Sequence, residues 1–503
     1  MQIRNVQIQR FRGIKSLDWC VDGQIICLIG PGDSTKSTIL SAIDYALSPR
    51  WRIDFNDSYF HGGDASAPFV ITVTVGGLPD EFKSDTKFGL YLRGWTNGRI
   101  HDEPEEDDEL VLSVQLSVDK SLEPKWTVIN DRAPDGKPIS ANDRDSFGIV
   151  WIGEFMDRHL TWMRGSVLSR LTGKSDELTS LLAEISRAAR SSISSDKLPK
   201  LTAATQQLAK LSRAVGVQPK DIFRPHLDIK SVDVNAGALS LHDGDIPIRL
   251  SGSGTRRLIT LALQKEIVSG GSVALIDEVE IGLEPHRLRR LIRSLREDSA
   301  GPLGQIFMTT HSSVVVDELP CTELRVVRVR DGDVTVQAID EKSQKTVRRS
   351  PEVFLSSAIV VCEGITEVGF CKALDAWWLK SGNYDPLAVK GISLVDGNGV
   401  AAEPYAKAMA GIGYTTAFFA DSDRPLNPSR VVLEASGVTV ILWGDSLYLE
   451  QRVAADLPWD GVQQLLTLAA TFATEEGILL VELWFPVVLE DSAECKLTGP
   501  EFH

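Results

Sequence analysis

Between Gln24 and Leu47 the chain passes from an unbroken apolar run, through a glycine-bearing turn, into an amphipathic helix. Few folds accommodate that order. Gln24-Ile25-Ile26-Cys27-Leu28-Ile29 reads as a buried strand, Gly30-Pro31-Gly32-Asp33-Ser34-Thr35-Lys36-Ser37 as the turn, and Ser37 to Leu47 as the helix. This is the context a phosphate-binding loop requires. Backbone N–H groups turned inward cradle phosphate, Lys36 reaches the outer oxygens, and the Ser37 hydroxyl is placed for Mg²⁺. Gly30 to Ser37, with Thr38 beyond them, are therefore the candidate nucleotide-binding residues. Thr35 stands where such loops carry glycine, and its Cβ can crowd the phosphates.

Four further stretches extend the reading. Val273-Ala274-Leu275-Ile276-Asp277-Glu278 is an apolar strand ending in two acids. Asp277 suits Mg²⁺, and Glu278 suits the orientation or deprotonation of an attacking water. Leu250-Ser251-Gly252-Ser253-Gly254-Thr255-Arg256-Arg257 offers a serine hydroxyl and glycine amides at a helix start. Gly282-Leu283-Glu284-Pro285-His286 follows, and Ile306-Phe307-Met308-Thr309-Thr310-His311-Ser312 is a strand ending in histidine. Each has an ordinary structural explanation alone, such as surface acids capping a buried strand. Five in this order do not.

The set resembles the ABC-type ATPases of the SMC-like and OLD (overcoming lysogenisation defect) families, as does the opening Arg10-Phe11-Arg12-Gly13-Ile14. The resemblance makes Asp277 and Glu278 the Walker B pair, Ser251 and Gly252 part of the signature motif, and His311 the γ-phosphate switch. It also implies that one protomer's signature motif closes on nucleotide held by another, so a dimer is the smallest competent unit. No glutamine can be assigned to the Q-loop, whose neighbourhood is Asp54 to Asp64.

A second constellation lies in the last third. Ile359-Val360-Val361-Cys362 leads to Glu363, and a turn at Gly364 opens a helix from Glu367 to Leu379. A strand from Gly391 to Val395 ends at Asp396, and Thr415 to Ala420 ends at Asp421-Ser422-Asp423. In a parallel sheet the strand ends cluster, so at least five carboxylates are expected to converge on divalent cations. Two such metals activate water on one side of a phosphodiester and stabilise the leaving oxygen on the other. This segment resembles a Toprim domain, with Glu363 and Glu367 spaced as in OLD proteins. The resemblance implies Glu363, Glu367, Asp396, Asp421 and Asp423 as ligands of two metals (Mg²⁺, Mn²⁺ or Ca²⁺), with Glu450 matching a later acid. It thins after Glu450, where family members continue into a helical region that supplies a basic residue. Lys496 is the lysine available there and remains unassigned, so the Toprim domain is expected to be truncated or different at its end.

The expected fold is α/β: an ABC-type ATPase domain with an inserted helical (dimerisation) region, then a Toprim α/β domain with a parallel sheet. The ATPase occupies 1–159 and 221–345, the helical hairpin 160–220, and Toprim 346–503. Leu178, Leu181, Leu182, Ile185 and Ala188, then Leu201, Leu208 and Leu211, carry the hairpin, for packing or for dimerisation. Leu324 to Ala338 reads as a β-rich connector.

At 503 residues one hydrophobic core is insufficient, and 43% hydrophobic with 24% charged residues is ordinary for a globular protein. No apolar run approaches the roughly 20 residues that span a bilayer. Six scattered cysteines form no Cys-x-x-Cys pair and fit a reducing cytoplasm. The net charge of −16 leaves DNA contact to local patches such as Arg287, Arg289, Arg290, Arg293 and Arg296, otherwise a solvated helix face. The expectation is an ATP-dependent, metal-dependent DNA endonuclease or nickase, by family analogy in anti-phage defence and with a helicase or reverse-transcriptase partner. The alternative is an ATP-driven, SMC-like DNA-binding clamp or sensor with an inactive Toprim site.

Overall fold

The computed structural model describes residues 1–472 apart from 51–52, 154–156, 164–165, 173–175, 192–199, 202, 206, 209–222, 224–237, 270, 298–303, 383–384 and 445. The chain divides into two units between Ile339 and Asp340, where the sequence reading set a boundary at 345/346. No helix among the described residues is long and apolar enough to cross a membrane.

The first unit is organised on a large mixed sheet. Four parallel strands lie in the order Ile149–Ile152, Val273–Ile276, Gln305–Thr309 and Ile25–Ile29. Every residue of Val273–Ile276, Gln305–Thr309 and Ile25–Ile29 is buried, as the apolar runs require of strands covered on both faces. Their register pairs Ile276 with Met308 and Leu28 with Thr309, so the phosphate loop, Asp277 and Thr310 all leave one edge of the sheet. The antiparallel half runs through Ile14–Cys20, Gln2–Phe11, Phe69–Gly76 and Glu109–Val118. It packs Val6, Ile8, Phe11, Phe69, Ile71 and Val73 into the core beside the helix Lys36–Leu47.

One expectation needs correction. Leu324–Arg330 and Asp333–Ala338 are not a connector: they form a hairpin inside the main sheet, with Leu324–Arg330 parallel to Ile25–Ile29. Alternating residues announce a strand, but not which distant strand will pair with it. Of the inserted helical hairpin, Asp176–Ser191 is a helix, whereas Leu211 and most of the second arm lie outside the described residues. Lys496 also lies outside them.

The second unit is a four-stranded parallel sheet in the order Ile392–Asp396, Ala358–Cys362, Thr415–Ala420, Val438–Leu442. Cys362 pairs with both Asp396 and Phe419, which brings Glu363 and Asp421 to neighbouring strand ends. The helices Ile365–Ser381 and Ala402–Gly411 follow the first two of these strand ends in the chain. Gly397 is required where the chain leaves Asp396, since a Cβ there would meet the Cys362 carbonyl at 2.4 Å.

Candidate functional site

The sheet edge of the first unit gathers the predicted nucleotide residues. Asp277 Oδ1 accepts from Ser37 Oγ and from Thr309 Oγ1, each at 2.7 Å. Thr309 Oγ1 accepts in turn from the Glu278 backbone N–H at 2.8 Å. The Ser37 hydroxyl and the Asp277 carboxylate, both expected at Mg²⁺, are thus already in contact. Lys36 is 3% exposed, and its Nζ donates to Ser34 Oγ at 3.1 Å. Burial lowers the Lys36 ammonium to about 8, against the raising charges of Glu278, Glu280, Asp277 and Asp33. A buried ammonium at this place in the loop suits an incoming polyphosphate.

Thr35 adopts φ 66°, a left-handed backbone that disfavours a side chain with a Cβ. Its hydroxyl is buried without a hydrogen-bond partner among the described residues. Glu278 also sits at a positive φ, 47°. What holds it there is Arg257, fully buried, whose Nη2 donates to the carbonyls of Asp277 and Glu278 at 2.6 Å. Nη1 of the same side chain donates to the Gly153 carbonyl at 2.9 Å. Nothing in the sequence marks Arg257 for this role, because an arginine on an amphipathic helix ordinarily faces water.

Of the other predicted residues, Ser251 is half-buried and Gly252 exposed, just before the helix Ser253–Ser269. A Cβ on Gly254 would meet the Gly282 carbonyl at 2.5 Å, so the two glycine-bearing turns abut. His311 is exposed at the strand end, its N–H bonded to Glu280 Oε1 at 2.5 Å. The arginine face of the helix Pro285–Glu297 is largely ion-paired within the chain: Arg293 and Arg289 with Glu318, Arg296 with Glu323, Arg287 with Glu284. Such partly exposed pairs accord with the reading of these arginines as a solvated helix face rather than a DNA contact.

In the second unit Glu363, Asp421 and Asp423 each offer an oxygen, all within 4.8 Å of one another. The expected convergence of five or more acids is narrower than the sequence suggested. Glu367 is 6% exposed and turns back to accept from the Gly364 N–H at 2.8 Å, capping its own helix. Asp396 is exposed and accepts from the Asn398 N–H at 2.8 Å, while Arg349 donates to its carbonyl. Glu450 lies in the first turn of the helix Leu449–Asp456 and is not in the group.

The trio carries the marks of a cation seat. Asp421 is pushed up to about 8, first by burial, then by its hydrogen bond with Asp423 and the charge of Glu363. Glu363 Oε2 and Asp421 Oδ1 are buried without hydrogen-bond partners among the described residues. Oxygen donors, like charge and unsatisfied buried atoms together fit a hard divalent cation.

One cation is already present. Arg424 places Nε 2.9 Å and Nη2 2.7 Å from Glu363 Oε1, and Nη1 2.8 Å from Glu403 Oε1. Glu403 is completely buried. Its hydrogen bond to Glu403 is the chief influence raising the Arg424 pKa further. The sequence offered one signal, the position of Arg424 directly after Asp423, and none for Glu403, which reads as an ordinary helix acid.

Comparison with known proteins adds to this geometry. The family model described as "AAA domain, putative AbiEii toxin, Type IV TA system" matches residues 25–317. An OLD nuclease of Thermus scotoductus (strain ATCC 700910 / SA-01) is 23% identical over 383 residues, 69% of this chain. The match spans 66% of that relative, just under two thirds of its length. The motif-based resemblance to the OLD family is thus met by a relative of that name. Among solved structures, an SMC head bound to the C-winged helix domain of ScpA is 16% identical, covering 69% of this chain and all of that one, with TM-score 0.39. The SMC head domain from Thermotoga maritima is 14% identical over 68% of this chain and all of its own, with TM-score 0.32. These are loose likenesses, and no functional reading rests on them.

Proposed function

With residues 25–317 matched, the chain belongs to this AAA-domain family, and from that premise we propose an ATP-controlled, metal-dependent DNA endonuclease or nickase of the OLD type. The observation that carries the reading is the meeting of Glu363, Asp421 and Asp423 at the C-terminal edge of a parallel sheet. Glu363, Asp421 and Asp423 would hold divalent ions (Mg²⁺, Mn²⁺ or Ca²⁺), which supply an activated water and charge neutralisation at the leaving oxygen. The chain's own part is to hold three oxygens within one seat and to keep two of their atoms away from competing donors. At the ATPase edge Lys36 would receive the phosphates, Ser37 and Asp277, already in contact, would hold Mg²⁺, and Glu278 would orient the attacking water. His311, at the adjoining strand end, senses the γ-phosphate.

Gly252 is exposed and Ser251 half-buried, as in a motif that a second protomer's nucleotide would complete, which supports a homodimer. A DNA substrate, a cytoplasmic role in defence against phage, and a helicase or reverse-transcriptase partner follow from likeness to OLD proteins. A second reading, an ATP-driven clamp or sensor that does not cut, draws support from Arg424, which already neutralises Glu363.

Nicking of supercoiled plasmid separates the two. The nuclease reading expects Mg²⁺- or Mn²⁺-dependent nicking by wild type and a loss of at least about 100-fold in Asp421→Ala. Equal rates in the two proteins would reject it and leave the clamp.

A further inference from the structure

Arg424 presents two edges to two different acids, and the acids are not equivalent. Glu403 is fully buried, so its charge cannot be left without a partner, and its bond to Nη1 is the permanent one. Glu363 sits in a trio of carboxylates whose like charges any cation can relieve. Its contact with Arg424 is a single hydrogen bond from Nε to Oε1, with Nη2 near the same oxygen but without a hydrogen-bond partner among the described residues. The planar Nε–Nη2 fork matches a phosphate oxygen pair as well as it matches a carboxylate.

We propose that Arg424 is an exchangeable ligand of this site: a divalent cation displaces it from Glu363, and the freed Nε–Nη2 edge then binds a phosphate of the nucleic-acid strand. Glu403 is the positioning residue, keeping the guanidinium at the site after Glu363 has been taken by metal. Three facts on the chain converge on this. The seat lacks a dedicated counter-ion other than Arg424 among the described residues. The guanidinium is anchored on the far side by a group that cannot leave. Arg424 directly follows the Asp421-x-Asp423 pair, so the cation and two of the carboxylates share one short turn. Metal loading and phosphate capture are thereby coupled, and each favours the other.

This rests on the acid trio being a metal seat, and the test keeps the two claims apart. Mn²⁺ binding to the full chain is followed by electron paramagnetic resonance, without nucleic acid, in wild type, Asp421→Ala, Arg424→Gln and the pair Glu403→Gln with Arg424→Gln. The paired variant removes the Glu403 charge, which the single one would leave fully buried and unpartnered, and serves if the single one folds poorly. With the competing cation gone, Mn²⁺ should bind about 3- to 10-fold more tightly in the arginine variants. Affinity for a short phosphorothioate oligodeoxynucleotide, measured by fluorescence anisotropy with Mn²⁺ present, should fall about tenfold in the same proteins. If Arg424 merely holds Glu363 in shape, Mn²⁺ binds more weakly in its absence, and that sign overturns the proposal. Unchanged Mn²⁺ and oligonucleotide affinities overturn it too, while leaving the metal seat intact. Identical Mn²⁺ binding in wild type and Asp421→Ala removes the metal seat and this proposal together.

Discussion

At the residue scale the chain holds several groups in states they would not choose in water. Thr35 is the plainest, with its φ of 66° and a buried hydroxyl that bonds nothing among the described residues. A left-handed non-glycine residue costs roughly 1 kcal/mol, and glycine removes that cost while adding flexibility to the unfolded chain. Thr35→Gly is therefore expected to leave the melting temperature nearly unchanged and to tighten ATP binding several-fold, measured by calorimetry. Unaltered affinity would remove Thr35 as an obstacle. His159 is another, 4% exposed and lowered to about 4 chiefly by burial. Its folded pKa lies below the unfolded one near 6.5, so below that pH the unfolded chain binds a proton that the folded chain refuses. The stability it contributes is whole above about pH 6.5 and is lost progressively as pH falls toward 4. By pH 5 the loss is about 2 kcal/mol. Urea midpoints at pH 7 and pH 5 should therefore differ less in His159→Gln than in wild type. An equal difference in both proteins would show that His159 is not the group responsible.

At the scale of elements, Arg257 ties the helix Ser253–Ser269 to the turn carrying Asp277 and Glu278. Removing it strands three half-buried carbonyl contacts and frees Glu278 from a backbone it would otherwise leave. Arg257→Gln should cost about 3 kcal/mol of stability and most of the ATPase rate, read by denaturant unfolding and phosphate release. A stable variant with wild-type turnover would contradict that role. The strands Ile25–Ile29 and Val273–Ile276 were legible in the sequence, because buried parallel strands write themselves as apolar runs, and the helix Lys36–Leu47 was legible from its amphipathic spacing. The place of Leu324–Arg330 in the main sheet was not, since pairing across distant segments leaves no local trace. The acid trio was legible from strand-end position. The diversion of Glu367 and Asp396 to backbone N–H groups was not, because it depends on helix capping and turn geometry that spacing alone does not specify.

At the scale of the whole molecule, each unit gathers its chemistry where parallel strands end. On the proposed reading, carboxylates would hold metals for phosphate chemistry at both edges, Ser37 and Asp277 at one and Glu363, Asp421 and Asp423 at the other. The proposed division of labour is ATP control by the first and strand cutting by the second. Lys36→Ala should abolish ATP binding, yet leave Mn²⁺ binding at the acid trio within about twofold of wild type, because each unit supplies its own ligands. A large loss of Mn²⁺ binding in that variant would show that the acid seat is not independent. The central claim is that the three carboxylates form a divalent-cation seat, and anomalous diffraction from crystals soaked in Mn²⁺ tests it most directly. The account predicts a Mn²⁺ peak among Glu363, Asp421 and Asp423 that vanishes in Asp421→Ala. Well-ordered side chains with no peak between them, in crystals whose Ser37–Asp277 site has taken up Mn²⁺, would contradict it.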